Sequence, residues 1–119
     1  MIKGIGTDII EIDRIKKAVS LYGDKFLKRV FSNRELSYCD KRGKLRFPEL
    51  AVRFAAKEAY SKALGTGMKG IHWKKIEVVN NKQGKPHIAF EGKVLEQVHV
   101  SLSHSENSAV ACVIIEGSL

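Results

Sequence analysis

The stretch Arg53-Phe54-Ala55-Ala56-Lys57-Glu58-Ala59-Tyr60-Ser61-Lys62-Ala63-Leu64-Gly65-Thr66-Gly67 constrains this chain most. It reads as an alanine-rich helix that runs into a glycine-bracketed turn. Counted from Leu50 at about 100° per residue, Glu58 falls near 80° and Lys62 near 120°, in one arc with Phe54, Ala51, Ala55 and Ala59. Arg53 and Lys57 fall on the other side, near 300° and 340° by the same counting. A carboxylate and an ammonium inside a small-residue stripe cost free energy unless they are paired or bind something. The pattern therefore predicts a helix whose charged arc, Glu58 and Lys62, carries chemistry. The alternative is an ordinary i,i+4 surface pair worth about 0.2–0.5 kcal/mol.

Around that helix the periodicity alternates between strand and helix. Residues 2–12 (IKGIGTDIIEI) read as a buried strand, with Asp8 and Ile10 on one face and Ile9 and Glu11 on the other. Asp13 is placed to cap a helix that Gly23 ends, and Asp24 to cap a second short one over 25–31. Ser32 and Glu35 have capping-box spacing before a third helix over 33–38. Residues 41–44 read as an exposed turn, and Pro48 suits the first turn of the long helix ending at Gly65. Strands follow at 76–79 and 87–90 around an Asn-Asn-Lys-Gln-Gly-Lys-Pro turn, then a short helix over 92–97. The last two strands are expected at 99–103 and 108–115. This order argues for α+β, with residues 1–119 as a single domain and no repeat or linker.

Net charge of +8 in 119 residues favours an anionic partner, but charge alone does not choose among nucleic acid, phosphorylated ligands, membranes and acidic proteins. A nucleic-acid module is expected to interleave aromatics with its basic residues or carry a groove-reading motif, and neither is present. No apolar run reaches the roughly 18 residues that span a membrane. The N-terminal residues lack a secretory pattern, and Cys39 and Cys112 lack metal-ligand spacing, so both are expected as reduced thiols in a cytoplasmic protein.

Two constellations carry the chemical reading. Asp8, after Gly6-Thr7, is either a turn cap or a carboxylate beside a bound cation. Glu58 would supply a second oxygen ligand. Mg²⁺ typically takes one or two carboxylates, keeps several waters, and uses substrate phosphates for the rest. Lys62 and the backbone amides of Gly65, Thr66 and Gly67 are then candidates to meet phosphate oxygens.

These residues resemble the paired signature of the phosphopantetheinyl transferases, and the chain as a whole resembles the short bacterial members. The likeness runs through GTDIIEIDRI, FSNRELSYC, RFAAKEAYSKALGTG, IEVVNNKQGKP and SLSHSENSAVACVI. It implies one long central helix packed on an antiparallel sheet, assembled as a homotrimer with three active sites at subunit interfaces. It also implies transfer of the 4′-phosphopantetheine arm of coenzyme A to a serine of an apo acyl carrier protein, in fatty acid biosynthesis. Adenosine 3′,5′-bisphosphate is the leaving product.

By the same resemblance Asp8 and Glu58 hold Mg²⁺ against the pyrophosphate, and Lys62 reaches the phosphates. Glu58 is the first candidate for the base, directly or through a metal-bound water, with Lys62 as its catalytic companion. Larger relatives place another acidic residue two positions after the first aspartate. Ile10 stands there, so no third carboxylate ligand is implied. Arg53, Lys85, Pro86 and His104 are expected at the coenzyme A end, although Lys85-Pro86 also reads as a hairpin end and His104 as part of a polar turn. Arg14, Lys17, Lys25, Lys28 and Arg29, with Phe26 as apolar anchor, read either as a solvated helical face or as the dock for an acidic carrier protein. A carrier-binding module without catalysis is expected to lack Asp8 or Glu58. Both are present.

Overall fold

An antiparallel ribbon joins the two ends of the chain. In the computed structural model, which describes residues 1–67 and 72–117, β1 (Ile2–Glu11) pairs with β8 (Ser108–Glu116), from Gly4 opposite Ile115 to Glu11 opposite Ser108. β8 pairs on its other edge with β7 (Val98–His104), giving a sheet in the order β1-β8-β7. Strand alternation turns Gly6 and Ile10 inward and half-buries Asp8 between them, while Thr7, Ile9 and Glu11 face out.

Against the inner face lies α4 (Phe47–Leu64), with Pro48 in its first turn and Gly65 closing it at φ 83°. The contact between β1 and α4 is close because both sides are small. A Cβ at Gly4 would run into the Ala63 carbonyl oxygen, and one at Gly6 into that of Ala59. Leu50, Ala51, Ala55, Ala56 and Ala59 are fully buried at this seam and around it. The expected α+β architecture, one long helix on an antiparallel sheet, is what the chain adopts.

The burial of α4 nevertheless extends further round the helix than expected: Ala51, Ala55 and Ala59 of the Glu58 arc are buried, and so is the side that carries Arg53 and Lys57. Arg53 and Lys57 lie in the core at 1% and 0% exposure, together with Val52, Tyr60 and Ser61. Only Phe54, Glu58 and Lys62 within the other arc reach solvent, Phe54 and Glu58 half-buried and Lys62 exposed. Helical spacing orders side chains by angle but does not say which neighbour fills each angle. Here α1 (Ile12–Tyr22), α2 (Asp24–Val30), α3 (Asn33–Cys39) and a second sheet close over the Arg53–Lys57 side.

That second sheet has the order β4-β5-β6, from β4 (Ile76–Asn80), β5 (Pro86–Phe90) and β6 (Lys93–Val94), with a 3₁₀ turn over Trp73–Lys75 before it. A small hairpin, β2 (Asp40–Lys41) with β3 (Lys44–Leu45), occupies the predicted exposed turn. The capping box of α3 forms as predicted, with Ser32 and Glu35 each accepting from the other's backbone N–H.

Three local expectations fail. Asp13 lies inside the first turn of α1, which starts at Ile12, and Asp24 is the first residue of α2; neither helix has a side-chain cap. At the start of α1 the Ile12 N–H is taken instead by the Asn107 carbonyl. Over 92–97 there is no helix. Glu91 and Gly92 turn at positive φ, so Lys93 and Val94 pair back onto Phe90 and Ala89. No helix among the described residues is long and apolar enough to cross a membrane.

Candidate active site

Asp8 and Lys62 meet across the glycine-lined seam between β1 and α4. Lys62 Nζ donates to Asp8 Oδ1 at 3.0 Å and to the Thr7 carbonyl at 3.0 Å. Lys62 thus bonds to β1, fifty-four residues away in sequence, instead of pairing with Glu58 one turn back on its own helix. Its side chain keeps 52% exposure and Asp8 keeps 17%, so both remain open to a ligand.

Glu58 sits one helical turn before Lys62 and has no ion-pair partner among the described residues. Its pKa is raised, first by partial burial and then by the Asp8 charge, with Lys62 opposing. The structure therefore gathers two carboxylates and one ammonium that the sequence holds fifty residues apart. Among the described residues no third His, Cys, Asp or Glu joins them.

The glycine turn after α4 is less available than expected. Gly65 N–H already donates to the Ser61 and Lys62 carbonyls, and Gly67 N–H to Ser61. Two of the three amides expected to meet phosphate are thus tied up in ending the helix.

Lys85, Pro86 and His104 come together elsewhere. They line a cleft of about 450 Å³ with Tyr38, Glu49, Asn80 and the β7 residues Ser101 and Ser103. Neither Asp8, Glu58 nor Lys62 borders this cleft. Arg53 lies behind its wall, not in it. The guanidinium donates to Glu49 Oε1 and Asn80 Oδ1, both at 2.8 Å, and lies 4.3 Å from the centre of the Tyr38 ring. An arginine 1% exposed with those partners shapes the cleft from below and presents no open surface of its own. Tyr38, Glu49 and Asn80 escape a sequence reading because they belong to three elements; the available signals were the SYC end of FSNRELSYC and the first Asn of IEVVNNKQGKP.

On α1 and α2 the basic residues Arg14, Lys17, Lys25, Lys28 and Arg29 are all exposed. Phe26 is half-buried among them and meets Phe31 edge-on at 6.1 Å. With Tyr22, Lys25 and Arg29 it lines a cleft of about 310 Å³. Basic rim and aromatic floor coincide on one surface.

A fold with these elements and this acidic pair has relatives. The chain belongs to the 4′-phosphopantetheinyl transferase superfamily, whose family model matches residues 4–114. It is 48% identical over 117 residues to the holo-(acyl-carrier-protein) synthase of Chloroherpeton thalassium, covering 94% of this chain and 96% of that one. With the Clostridium tetani enzyme of the same name the identity is 47%, over 98% of each chain. Among solved structures it is similar to the Bacillus anthracis holo-(acyl-carrier-protein) synthase in complex with coenzyme A (3′,5′-ADP), with TM-score 0.83, 43% identity and 99% of each chain covered.

Proposed function

We infer that this protein transfers the 4′-phosphopantetheine group of coenzyme A to a serine of an apo acyl carrier protein, releasing adenosine 3′,5′-bisphosphate, in fatty acid biosynthesis. One observation carries the reading: in a chain of this superfamily, Asp8, Glu58 and Lys62 converge where β1 lies closest to α4. Residues 1–119 act as one transferase domain, in keeping with the pairing of β1 and β8.

The donor set fits Mg²⁺. Glu58 feels the Asp8 charge and has no cationic side-chain partner among the described residues, and two carboxylates without a third ligand suit an ion that completes its shell with water and phosphate oxygens. Asp8 and Glu58 would hold it, and when bound it would supply charge neutralisation on the pyrophosphate, whose bridging oxygen leaves with adenosine 3′,5′-bisphosphate. Lys62, tethered to Asp8 and half exposed, adds a cation at the same place for a phosphate oxygen. Glu58 takes the proton from the serine hydroxyl, directly or through one water, as that oxygen attacks the β-phosphorus and the bond from it to the bridging oxygen breaks, releasing adenosine 3′,5′-bisphosphate. Partial burial, and then the Asp8 charge, raise the Glu58 pKa above the ordinary carboxylate value, which makes the carboxylate a better proton acceptor.

The other end of coenzyme A goes to the cleft with Lys85, Pro86 and His104, and Arg53 holds that wall in place. This cleft does not include the acidic pair of the same chain. A homotrimer with active sites between subunits joins the two halves. The outer face of the β1-β8-β7 sheet, with Ile5 63%, Ile9 68% and Val110 39% exposed, supplies apolar surface for such contacts. An acidic carrier protein docks on Arg14, Lys17, Lys25, Lys28 and Arg29 around Phe26. We place the enzyme in the cytoplasm: both cysteines are free, and burial pushes the Cys39 thiol up to about 11, where it stays protonated.

The test is intact-mass analysis of an apo acyl carrier protein incubated with this protein, coenzyme A and Mg²⁺. Gain of one phosphopantetheine group is the expected outcome. No gain across several carrier proteins would leave a carrier-binding module without catalysis.

A further inference from the structure

Among the described residues, the most completely connected polar group stands outside the chemistry just described. Lys57 is fully buried and uses all three ammonium donors: to Glu35 Oε1 at 2.6 Å, to the Val30 carbonyl at 2.8 Å and to the Trp73 carbonyl at 2.9 Å. Glu35 is equally occupied. Its Oε1 also accepts from Ser32 N–H at 3.1 Å, and its Oε2 from Val78 N–H at 3.0 Å. Five segments thus converge on one ion pair: the end of α2, the start of α3, α4, the 3₁₀ turn and β4.

The position of this pair matters more than its strength. Buried ion pairs are poor sources of stability, since apolar residues of the same volume often do as well. What such a pair supplies is a single geometry. Val30 is the last residue of α2, directly after the basic Lys28 and Arg29. Trp73 opens the 3₁₀ turn and stacks its ring on Phe54 of α4 at 5.0 Å. Lys57 immediately precedes Glu58. The ammonium also lies 5.5 Å from the centre of the Phe31 ring, whose edge meets Phe26 in the basic cleft. An unbroken line of contacts runs from the floor of that cleft to the residue beside Glu58.

We propose that Lys57 and Glu35 are positioning residues for the transfer: they lock the end of α2, and with it the basic docking face, to the turn of α4 that carries Glu58. A carrier protein seated on Phe26 and the basic rim then presents its serine at a set distance from the carboxylates. The proposal rests on the function inferred above. It assigns the pair no contact with substrate and no proton to move.

The double variant Lys57→Met/Glu35→Gln tests it, because it removes both buried charges together and leaves a side-chain amide oxygen at position 35 to accept from Val78 N–H. Coenzyme A binding with Mg²⁺ should stay within about twofold, while kcat for carrier modification falls at least about tenfold, as a misplacement on the order of 1 Å produces. KM for the carrier should change little, since the docking side chains remain. Unchanged kcat, or equal losses of coenzyme A binding and turnover, would overturn the proposal. If the double variant is unfolded at the assay temperature, Glu35→Asp decides instead; it keeps the charge, shortens the reach by one methylene, and should give the same split. Failure of the unaltered protein to modify any carrier would remove the inferred function and this proposal with it, whereas an active parent with indifferent variants removes the proposal alone.

Discussion

Two pairs of charged residues on α4 have opposite fates. Arg53 and Lys57 are buried, Lys57 with all three donors engaged at the junction of five segments and Arg53 bonded through both terminal guanidinium nitrogens, its Nε left without a partner, under the Lys85–His104 cleft. Glu58 and Lys62 lie on the open arc, where Glu58 lacks a cationic partner among the described residues and Lys62 reaches across to Asp8. Both pairs come from the same fifteen-residue stretch. Polar groups that are completely satisfied hold a fold in one arrangement, and groups left short of partners are available to a ligand. The helix therefore has a scaffold side, and a second side whose charged groups are the candidate reagents.

The largest expected effect breaks the reagent side. Glu58→Gln should lower kcat about a thousandfold, mid-range for loss of a general base, with the protein still folded. Stability should move the other way. The folded-state pKa of Glu58 lies above its unfolded value, so folding favours the protonated carboxyl. The contribution present at low pH is lost as pH rises through the raised pKa, and the ionised carboxylate then destabilises. Without divalent cations the variant should melt slightly above the parent at neutral pH, with the gap closing near pH 4. A variant that melts far lower at pH 7 would put Glu58 with the scaffold.

Next comes the scaffold side alone. Lys57→Met leaves the Glu35 carboxylate buried without its cation and should cost about 3–5 kcal/mol in chemical denaturation. A loss under about 1 kcal/mol, the range of exposed pairs, would mean that Lys57 is not locked in as the contacts imply.

The smallest effect sharpens the comparison. In metal-free protein, a carboxyl-carbon NMR titration of Glu58 should move down in pH when Asp8→Asn removes the neighbouring negative charge, and up when Lys62→Met removes the positive one. No movement in either variant would separate Glu58 from Asp8 and undo the shared site.

How far the site was legible depends on the distance between partners. Asp8, Glu58 and Lys62 stand out because GTD and KEAYSK are local patterns, and the small residues of the seam at Gly4, Gly6, Ala59 and Ala63 are visible in the chain. The burial of Lys57 was not legible, since its carboxylate is twenty-two residues away at Glu35. Nor was that of Arg53, whose amide partner Asn80 is twenty-seven residues off. Over 92–97 six residues were too few to distinguish a helix from a turn and a strand, and pairing with β5 decided it.

By itself the sequence determined the α+β order, the end of α4 at Gly65 with Pro48 in its first turn, the α3 capping box and the choice of Asp8 and Glu58 as the candidate acidic pair. Each follows from residues a few positions apart, where steric and hydrogen-bonding preferences act locally. Which side of α4 would be core was decided only in the tertiary structure. A helix distributes its side chains around an axis, and burial of any one of them depends on what packs there. In this protein α1–α3 and the second sheet close over Arg53 and Lys57 and provide their partners, while β1 approaches the opposite arc and leaves Glu58 and Lys62 open.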